Sequence, residues 1–471
     1  MTRKILLIFF IIPVLSGCAL FKPDERKLIP DKIPSNYSMY SDEKASSNSL
    51  WWKDFNNKEL NNFVKMAIDD NFDLRQAYAR LKQSRALFAI SRAAQLPEVT
   101  VTGGASHTKI DESPSTSNSF STGLAASYEL DLWGKIRSAK EADRLYMKQN
   151  QALYDSAAMT VVANVAELWA DIISTQQEII FVKESIKTNE EILAMMELRF
   201  EKSLATALDV LQQRESLASA RSKLPTLEAN EIVYLNNLSI LTGETSGRTF
   251  NVKSEELPAI PSLPETGLPA DLISMRPDIR AAGLNLKAAD WEISVARASR
   301  LPAISLSASG VYSSTTVDDL FKNWAANLAA NLTGPIFDAG KRKAEVSRVR
   351  AVAEERLAVY EETVFSAIRD VENALVDEDR QSAFIRALEN ELKASRSSKN
   401  ETIRRYLAGQ VDFISLQDRI LRVQNLERLL IRQKAVLVKY RIALYRALGG
   451  NWSIVSDKNG KKITSLRQTV E

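Results

Sequence analysis

The chain repeats itself at about half its length. Asp73-Leu74-Arg75 recurs as Asp278-Ile279-Arg280 and Leu96-Pro97 as Leu301-Pro302, both 205 residues on (278 − 73; 302 − 97). Gly134-Lys135 recurs as Gly340-Lys341, Arg199-Phe200 as Arg405-Tyr406 and Tyr234 as Tyr440, each 206 residues on (340 − 134). A register held across most of both halves marks a duplication, so both halves must fold alike. Residues 59–243 are the first repeat and 270–450 the second, with a tail at 451–471. Between the repeats, 244–269 carries Pro258, Pro261, Pro264 and Pro269, the composition of a linker.

Each repeat follows one plan. A helix is expected over about 59–95 and again over 270–300, each stopped at Leu-Pro, because proline disfavours the α region in the residue before it. Two strands follow. Val99, Val101, Gly103 and Ala105 alternate with more polar positions, and Leu124, Ala126, Tyr128 and Leu130 alternate with Gly123, Ala125, Ser127 and Glu129. In the second repeat Ile304, Leu306 and Ala308 oppose Ser305, Ser307 and Ser309, and Trp324, Leu328 and Leu332 oppose Asn327, Asn331 and Thr333. Period two gives each strand one apolar and one polar face. Loops rich in Ser, Thr, Asp and Asn, 111–119 and 313–323, join the pairs. No proline lies between Gly134 and Phe200, where Val161, Val165, Leu168, Ile172, Ile179, Val182, Ile186, Leu193, Met196 and Phe200 keep a heptad rhythm. That spacing predicts coiled-coil packing. A helix returns over about 207–242, and the second repeat does the same with a break near Ala408-Gly409-Gln410. The fold class is α+β, mainly α. The charged stretch Glu361–Arg380 reads as a solvated helix face.

At the N-terminus Arg3 and Lys4 precede an apolar run, Ile5 to Leu15, and small residues lead into Cys18. This is a secretory signal over 1–17, too short to span a membrane as a helix. Leu15-Ser16-Gly17-Cys18 resembles the bacterial lipobox, which implies an acylated Cys18 as first mature residue and a lipidated arm over 18–58. Ala19, in place of aspartate, fits outer-membrane sorting. No later spanning helix is expected, so any passage through the outer membrane must use strands.

Composition closes other routes. The 471 residues are 26% charged and 45% hydrophobic, with a net charge of +3, and no basic tract suggests nucleic acid. His107 and Cys18 are the only histidine and cysteine, which excludes a His/Cys metal cluster and an intrachain disulfide. No cofactor is expected beyond a lipid on Cys18, and no motif suggests an enzyme. His107 is placed in a strand or near its extracellular end.

Four short strands with one apolar face suit a membrane barrel with a polar lumen, but small bacterial barrels need about eight strands. Open edges in lipid are forbidden by their unpaired backbone groups. Several copies must share a barrel; three would supply about twelve strands, and strand physics alone does not choose three over two or four.

Trp51-Trp52 with Phe55, Tyr128-Glu129-Leu130-Asp131-Leu132-Trp133-Gly134-Lys135, Met275-Arg276-Pro277-Asp278-Ile279, Gly334-Pro335-Ile336-Phe337-Asp338-Ala339-Gly340, Arg405-Tyr406 before Gly409, and Tyr445-Arg446-Ala447-Leu448-Gly449-Gly450 resemble the TolC family. The likeness covers nearly the whole chain and points to the lipoprotein branch serving resistance-nodulation-division pumps. It implies a homotrimer whose shared outer-membrane β-barrel continues as a coiled-coil helical barrel in the periplasm. The helical tips would dock a periplasmic adaptor tied to an inner-membrane pump. The expected function is a passive exit duct for drugs or other toxic compounds. A duct for type I protein secretion and a pore-free periplasmic coiled-coil lipoprotein are the alternatives.

By the same resemblance the tips are the two breaks: Phe200, Ser203, Leu204 and Thr206 in the first, Tyr406, Gly409 and Gln410 in the second. Ser203 stands where the family usually has glycine. Asp418 matches a constriction position of the closed periplasmic mouth and Ile414 an apolar one, with Asp209 a further gate candidate. Ser415 stands where some members carry a second acid. A ring of like charges in a narrow pore repels itself and binds cations. Either aspartate could instead lie on a solvated helix face or in an intersubunit ion pair. Tyr128 and Trp324 could sit in an aromatic girdle or pack at the barrel base, where Trp133 is the stronger candidate.

Overall fold

The computed structural model describes residues 50–109, 116–245, 250 and 252–449, with positions 23, 26 and 33–38 and two short strands in the tail. Cys18 and the signal segment lie outside the described residues. The elements run α1 (Lys58–Asp70), α2 (Phe72–Ala93), β1 (Glu98–Lys109), β2 (Thr116–Leu130), α3 (Lys135–Glu201), α4 (Ala207–Leu241), α5 (Leu272–Met275), α6 (Pro277–Ala298), β3 (Ala303–Ser314), β4 (Trp324–Thr333), α7 (Lys341–Leu407) and α8 (Phe413–Leu448). The tail strands β5 (Ile454–Ser456) and β6 (Lys462–Thr464) pair antiparallel. The helices α3 and α7 each have 67 residues, a length of roughly 100 Å at 1.5 Å per residue.

Two compact units cut across the repeats. One holds Ala79–Ala152 and Arg280–Thr363; the other holds Lys32–Tyr78, Leu153–Ile279 and Val364–Glu471. In the first, the four strands form one antiparallel sheet in the order β1-β2-β3-β4. Asp131 accepts from the backbone N–H of Ile136 (2.9 Å) and Arg137 (2.8 Å) and so caps α3; Asp338 does the same for α7 through Gly340 and Arg342. Trp133 Nε1 donates to the Pro302 carbonyl at 2.6 Å, fixing the exit of β2 against the entry of β3. Ala289, Ile293, Ala296, Val346, Val349 and Ala353 make the local helical core.

The second unit buries Trp51, Trp52 and Phe55 with α1, the middle of α3 and the end of α8. Trp51 stacks on Tyr445, centroids 5.3 Å apart. One stretch of α3 is apolar enough to cross a membrane by composition, but 61% of it is buried within the chain. Its apolarity is accounted for by packing.

Several sequence expectations need correction. The single helices over 59–95 and 270–300 are each broken, at Asn71 and at Arg276, which are equivalent positions (276 − 205 = 71). Asn71 accepts from the N–H of Asp73 and Leu74, which restarts the helix, while its amide donates to the Leu241 carbonyl at 2.9 Å. In the second repeat Pro277 opens α6 at a position that needs no N–H, and Arg276 Nη1 donates to the equivalent Ala447 carbonyl at 3.2 Å (447 − 206 = 241). Gly243 and Gly449, at φ +78° and +82°, close both clamps; an added Cβ would come within 2.4 Å of Asp70 O in one and 2.7 Å of Arg276 Cγ in the other. The ladder also runs into the loops expected at 111–119 and 313–323: Thr116–Ser119 pair with β1, and Ser313 and Ser314 with β2. The stretch 361–380 is not wholly a wet face. Glu378 is buried against Arg441, whose Nη1 also donates to the carbonyls of Pro261 (2.6 Å) and Ser262 (2.9 Å). The proline-rich connection is thereby strapped down. Glu59 holds it a second time by accepting from Lys253 N and Ser254 Oγ, bonds that keep its carboxyl below the usual range despite burial.

Candidate functional site

Two surfaces answer to the sequence expectations, one in each unit. On the sheet, directly opposed residues share a face. Val101 opposes Leu124, Tyr128 opposes Leu306, Ala308 opposes Leu328, and Tyr312 opposes Trp324. The other face opposes Ser127 with Ser307, Ser305 with Asn331, and Ser309 with Asn327. The apolar face is uncovered in the chain: Val101, Leu328 and Leu332 are 77%, 81% and 71% exposed. From Trp324 to Leu332 along β4 is about 27 Å at 3.4 Å per residue, the height of a membrane barrel's apolar band. Towards the β1–β2 loop that face turns polar at His107, whose Nδ1 lies 2.7 Å from Asn118 Oδ1. Among the described residues no strand pairs with the outer side of either edge strand, β1 or β4. Trp324 and Tyr128 lie towards opposite ends of the apolar face.

The hairpin ends share a backbone. At the first, Ser203 N donates to Phe200 O (2.9 Å) and Leu204 N to Arg199 O (2.7 Å); at the second, Gly409 N donates to Tyr406 O (3.0 Å) and Gln410 N to Arg405 O (2.8 Å). These are two Schellman caps, with the left-handed position filled by Ser203 (φ +59°) in one and Gly409 (φ +71°) in the other. The returning helices are capped too, with the chemistry exchanged. Thr206 Oγ1 accepts from Asp209 N while Asp209 Oδ2 accepts from Thr206 N at 2.8 Å, a complete capping box. In the second copy Asp412 is the cap and accepts from Ser415 N at 2.9 Å.

The two ends also pack on one another. Met196, Val210, Phe413 and Leu416 form a buried cluster with Tyr406 against it. Arg199 lies over the Tyr406 ring at 5.3 Å, and burial pushes the Tyr406 hydroxyl up. Gln417 Nε2 of the second hairpin donates to Gln212 O (3.0 Å) and Ser216 Oγ of the first, whereas Gln213 Nε2, donating to Asn189 O at 2.9 Å, ties the first hairpin to itself. Of the expected tip residues, Phe200, Ser203, Leu204, Thr206, Gly409 and Gln410 are exposed and Tyr406 is half-buried. Asp418 is exposed with Arg419 at 3.5 Å, and Ile414, one turn before it, is 47% exposed on the same helix face. Asp209 is set apart from them by its capping bonds. The sequence places Asp412 at the end of the second break, Tyr406 to Asp412, without its capping role, and gives no role to Phe413. The N-cap spacing Asp412-x-x-Ser415 was the available sign of the first.

The family description "outer membrane efflux protein" matches residues 63–244 and 268–450. The chain belongs to this family. The pyoverdine export outer membrane protein OpmQ of Pseudomonas aeruginosa is 32% identical over 431 residues, covering 88% of this chain and 90% of the relative. The probable outer membrane lipoprotein SilC of Salmonella typhimurium is 24% identical, covering 93% and 97%. Among solved structures, the outer-membrane channel OprN superposes with a TM-score of 0.84 at 25% identity over 91% of this chain and 99% of that one. The Campylobacter jejuni CmeC outer membrane channel shares the fold, with a TM-score of 0.82 at 24% identity over 92% and 95%. As a member of the outer membrane efflux protein family the chain is an outer-membrane channel of an efflux system, with the TolC-like fold.

Proposed function

We propose that three copies close one barrel of about twelve strands, and that the assembled channel is the passive exit duct of a tripartite pump. Its tips dock a periplasmic adaptor that joins it to an inner-membrane pump of the resistance-nodulation-division type, and Cys18 carries the lipid that anchors it. The observation that carries this reading is the one-sided sheet with two unpaired edges. An uncovered apolar face suits lipid, but unpaired edges do not, and only neighbouring copies of the same sheet satisfy both. The place of Asp418 and Ile414 in the closed mouth rests on their match to the family's constriction positions, and their joint exposure one turn apart on α8 supports it.

The test is intact mass and conductance of the purified protein in one set of experiments. A trimer of diacylated or triacylated chains is expected, and Asp418→Ala raises single-channel conductance in bilayers. A monomer without conductance sinks the duct; unchanged conductance removes Asp418 from the mouth; an unmodified Cys18 removes the anchor. Cysteine cross-linking from Leu204→Cys and Gln410→Cys should capture an adaptor, and a deletion strain should become sensitive to compounds in a drug panel. Cargo is selected elsewhere, since a wide passive duct offers little discrimination.

A further inference from the structure

Away from the tips, α3, α4 and α8 enclose a cleft of about 510 Å³ in the second unit. Four cations line it: Lys223 from α4, and Arg428, Arg432 and Lys439 from α8. Two carboxylates, Asp171 and Glu178 from α3, face them, leaving a surplus of two positive charges (four minus two). Asp171 is taken by Lys439 at 2.8 Å. Glu178 is buried and serves two arginines, at 3.3 Å from Arg428 and 3.5 Å from Arg432. Lys223 has no carboxylate within ion-pair distance among the described residues, and Arg428 Nε is buried without an acceptor. Burial and the positive charge of Arg428 both push the Lys223 ammonium down. Thr226, Asn230 and Tyr234 add neutral hydrogen-bonding groups to the same wall.

A cleft of this kind is under-supplied with negative charge. Two arginines share one carboxylate and Lys223 has none within ion-pair distance, in partly desolvated surroundings where like charges repel more than they would in water. A structural ion-pair network would balance its charges, and this one does not. The volume falls within the range of sites for small organic ligands. The surplus sets the ligand's charge, and the donors, with guanidinium groups among them, suit carboxylate or phosphate oxygens.

We propose that this cleft binds a small dianionic solute, a dicarboxylate or a phosphate monoester, held between Lys223, Arg428 and Arg432. Every residue that the proposal uses belongs to one chain.

The test is calorimetric titration of the full-length protein in detergent with succinate and with inorganic phosphate, against uncharged succinamide. Succinate and phosphate should bind and succinamide should not, with affinity falling as salt is raised. Lys223→Gln leaves both carboxylates of the cleft paired and should weaken binding about tenfold, the effect of losing one charge-assisted contact. Glu178→Gln frees two guanidinium groups and should strengthen binding; a purely structural cluster would instead lose stability and gain no ligand. Arg422→Gln, whose partner Glu391 is exposed and does not line the cleft, is the control. No heat with either anion, equal binding of succinamide, or an affinity unaltered by Lys223→Gln overturns the proposal.

Discussion

The two hairpin ends share the backbone hydrogen bonds of their turns and differ in side chains. One holds its left-handed residue as Ser203 and caps its return with Thr206 and Asp209; the other uses Gly409, Asp412 and Ser415. The position after the cap differs most. Phe413 is 2% exposed in the cluster between the ends, whereas its equivalent Ala207 is exposed (413 − 206 = 207). Duplication has therefore preserved the turn and reassigned the anchoring. The second end carries the ring that ties the two together, and the first supplies the cavity for it through Met196 and Val210.

The largest effect should come from breaking that anchor. Phe413→Ala should cost about 3–5 kcal/mol, the usual range for a buried phenylalanine, and Ala207→Phe, on an exposed position, should cost little. Amide exchange across residues 196–210 and 403–420 is the measurement, and equal protection losses for the two variants would end the claim of asymmetry.

Next come the left-handed residues. Gly409→Ser should destabilise its end by about 1–2 kcal/mol. Ser203→Gly should stabilise the first end by less than that, because glycine also gains entropy in the unfolded chain. A loss on Ser203→Gly would mean that the serine hydroxyl holds the turn.

Thr206→Ala should cost about 1 kcal/mol as an ordinary N-cap loss, read as faster exchange at the start of α4.

The smallest effect is in pH dependence. The Ser415 bonds hold the Asp412 carboxyl below its ordinary value. Its capping contribution is therefore complete above the ordinary aspartate range and fades as pH falls through the lowered value. Asp412→Asn keeps the acceptor and should remove that acid sensitivity from the start of α8. Amide exchange at the start of α8, followed against pH in the two proteins, is the measurement, and an unchanged acid sensitivity would end the claim.

Much of this was legible in the sequence because it depends on period and punctuation. Alternation placed the apolar face of the sheet, and the 206-residue offset set Ser203 opposite Gly409 before any geometry was known. The misses have local causes. Thr116-Ser-Asn-Ser119 extends β2 but has no apolar face, so alternation is silent there; pairing to β1 alone makes it strand. Asn71 ends one helix and caps the next, yet asparagine within a periodic run carries no stop signal as strong as proline's. Pro225, conversely, lies inside α4 without ending it, beside Leu224 and Leu227 that pack on Ile179 and Val182. At the tips, residue type fixed the turns, but the exchange of capping roles and the burial of Phe413 depend on what the neighbouring hairpin brings. The cleft of surplus charge draws on three helices and leaves no mark in any one of them.

The division into two units has a bearing on ancestry. Each unit takes segments from both repeats, so neither repeat by itself contains a complete folding body. A half-length forebear would have needed a second copy of itself to finish either one. Fusion of two such genes would turn an encounter between chains into a fixed stoichiometry. It would also leave each half free to drift in charge and shape, because its partner could no longer be exchanged.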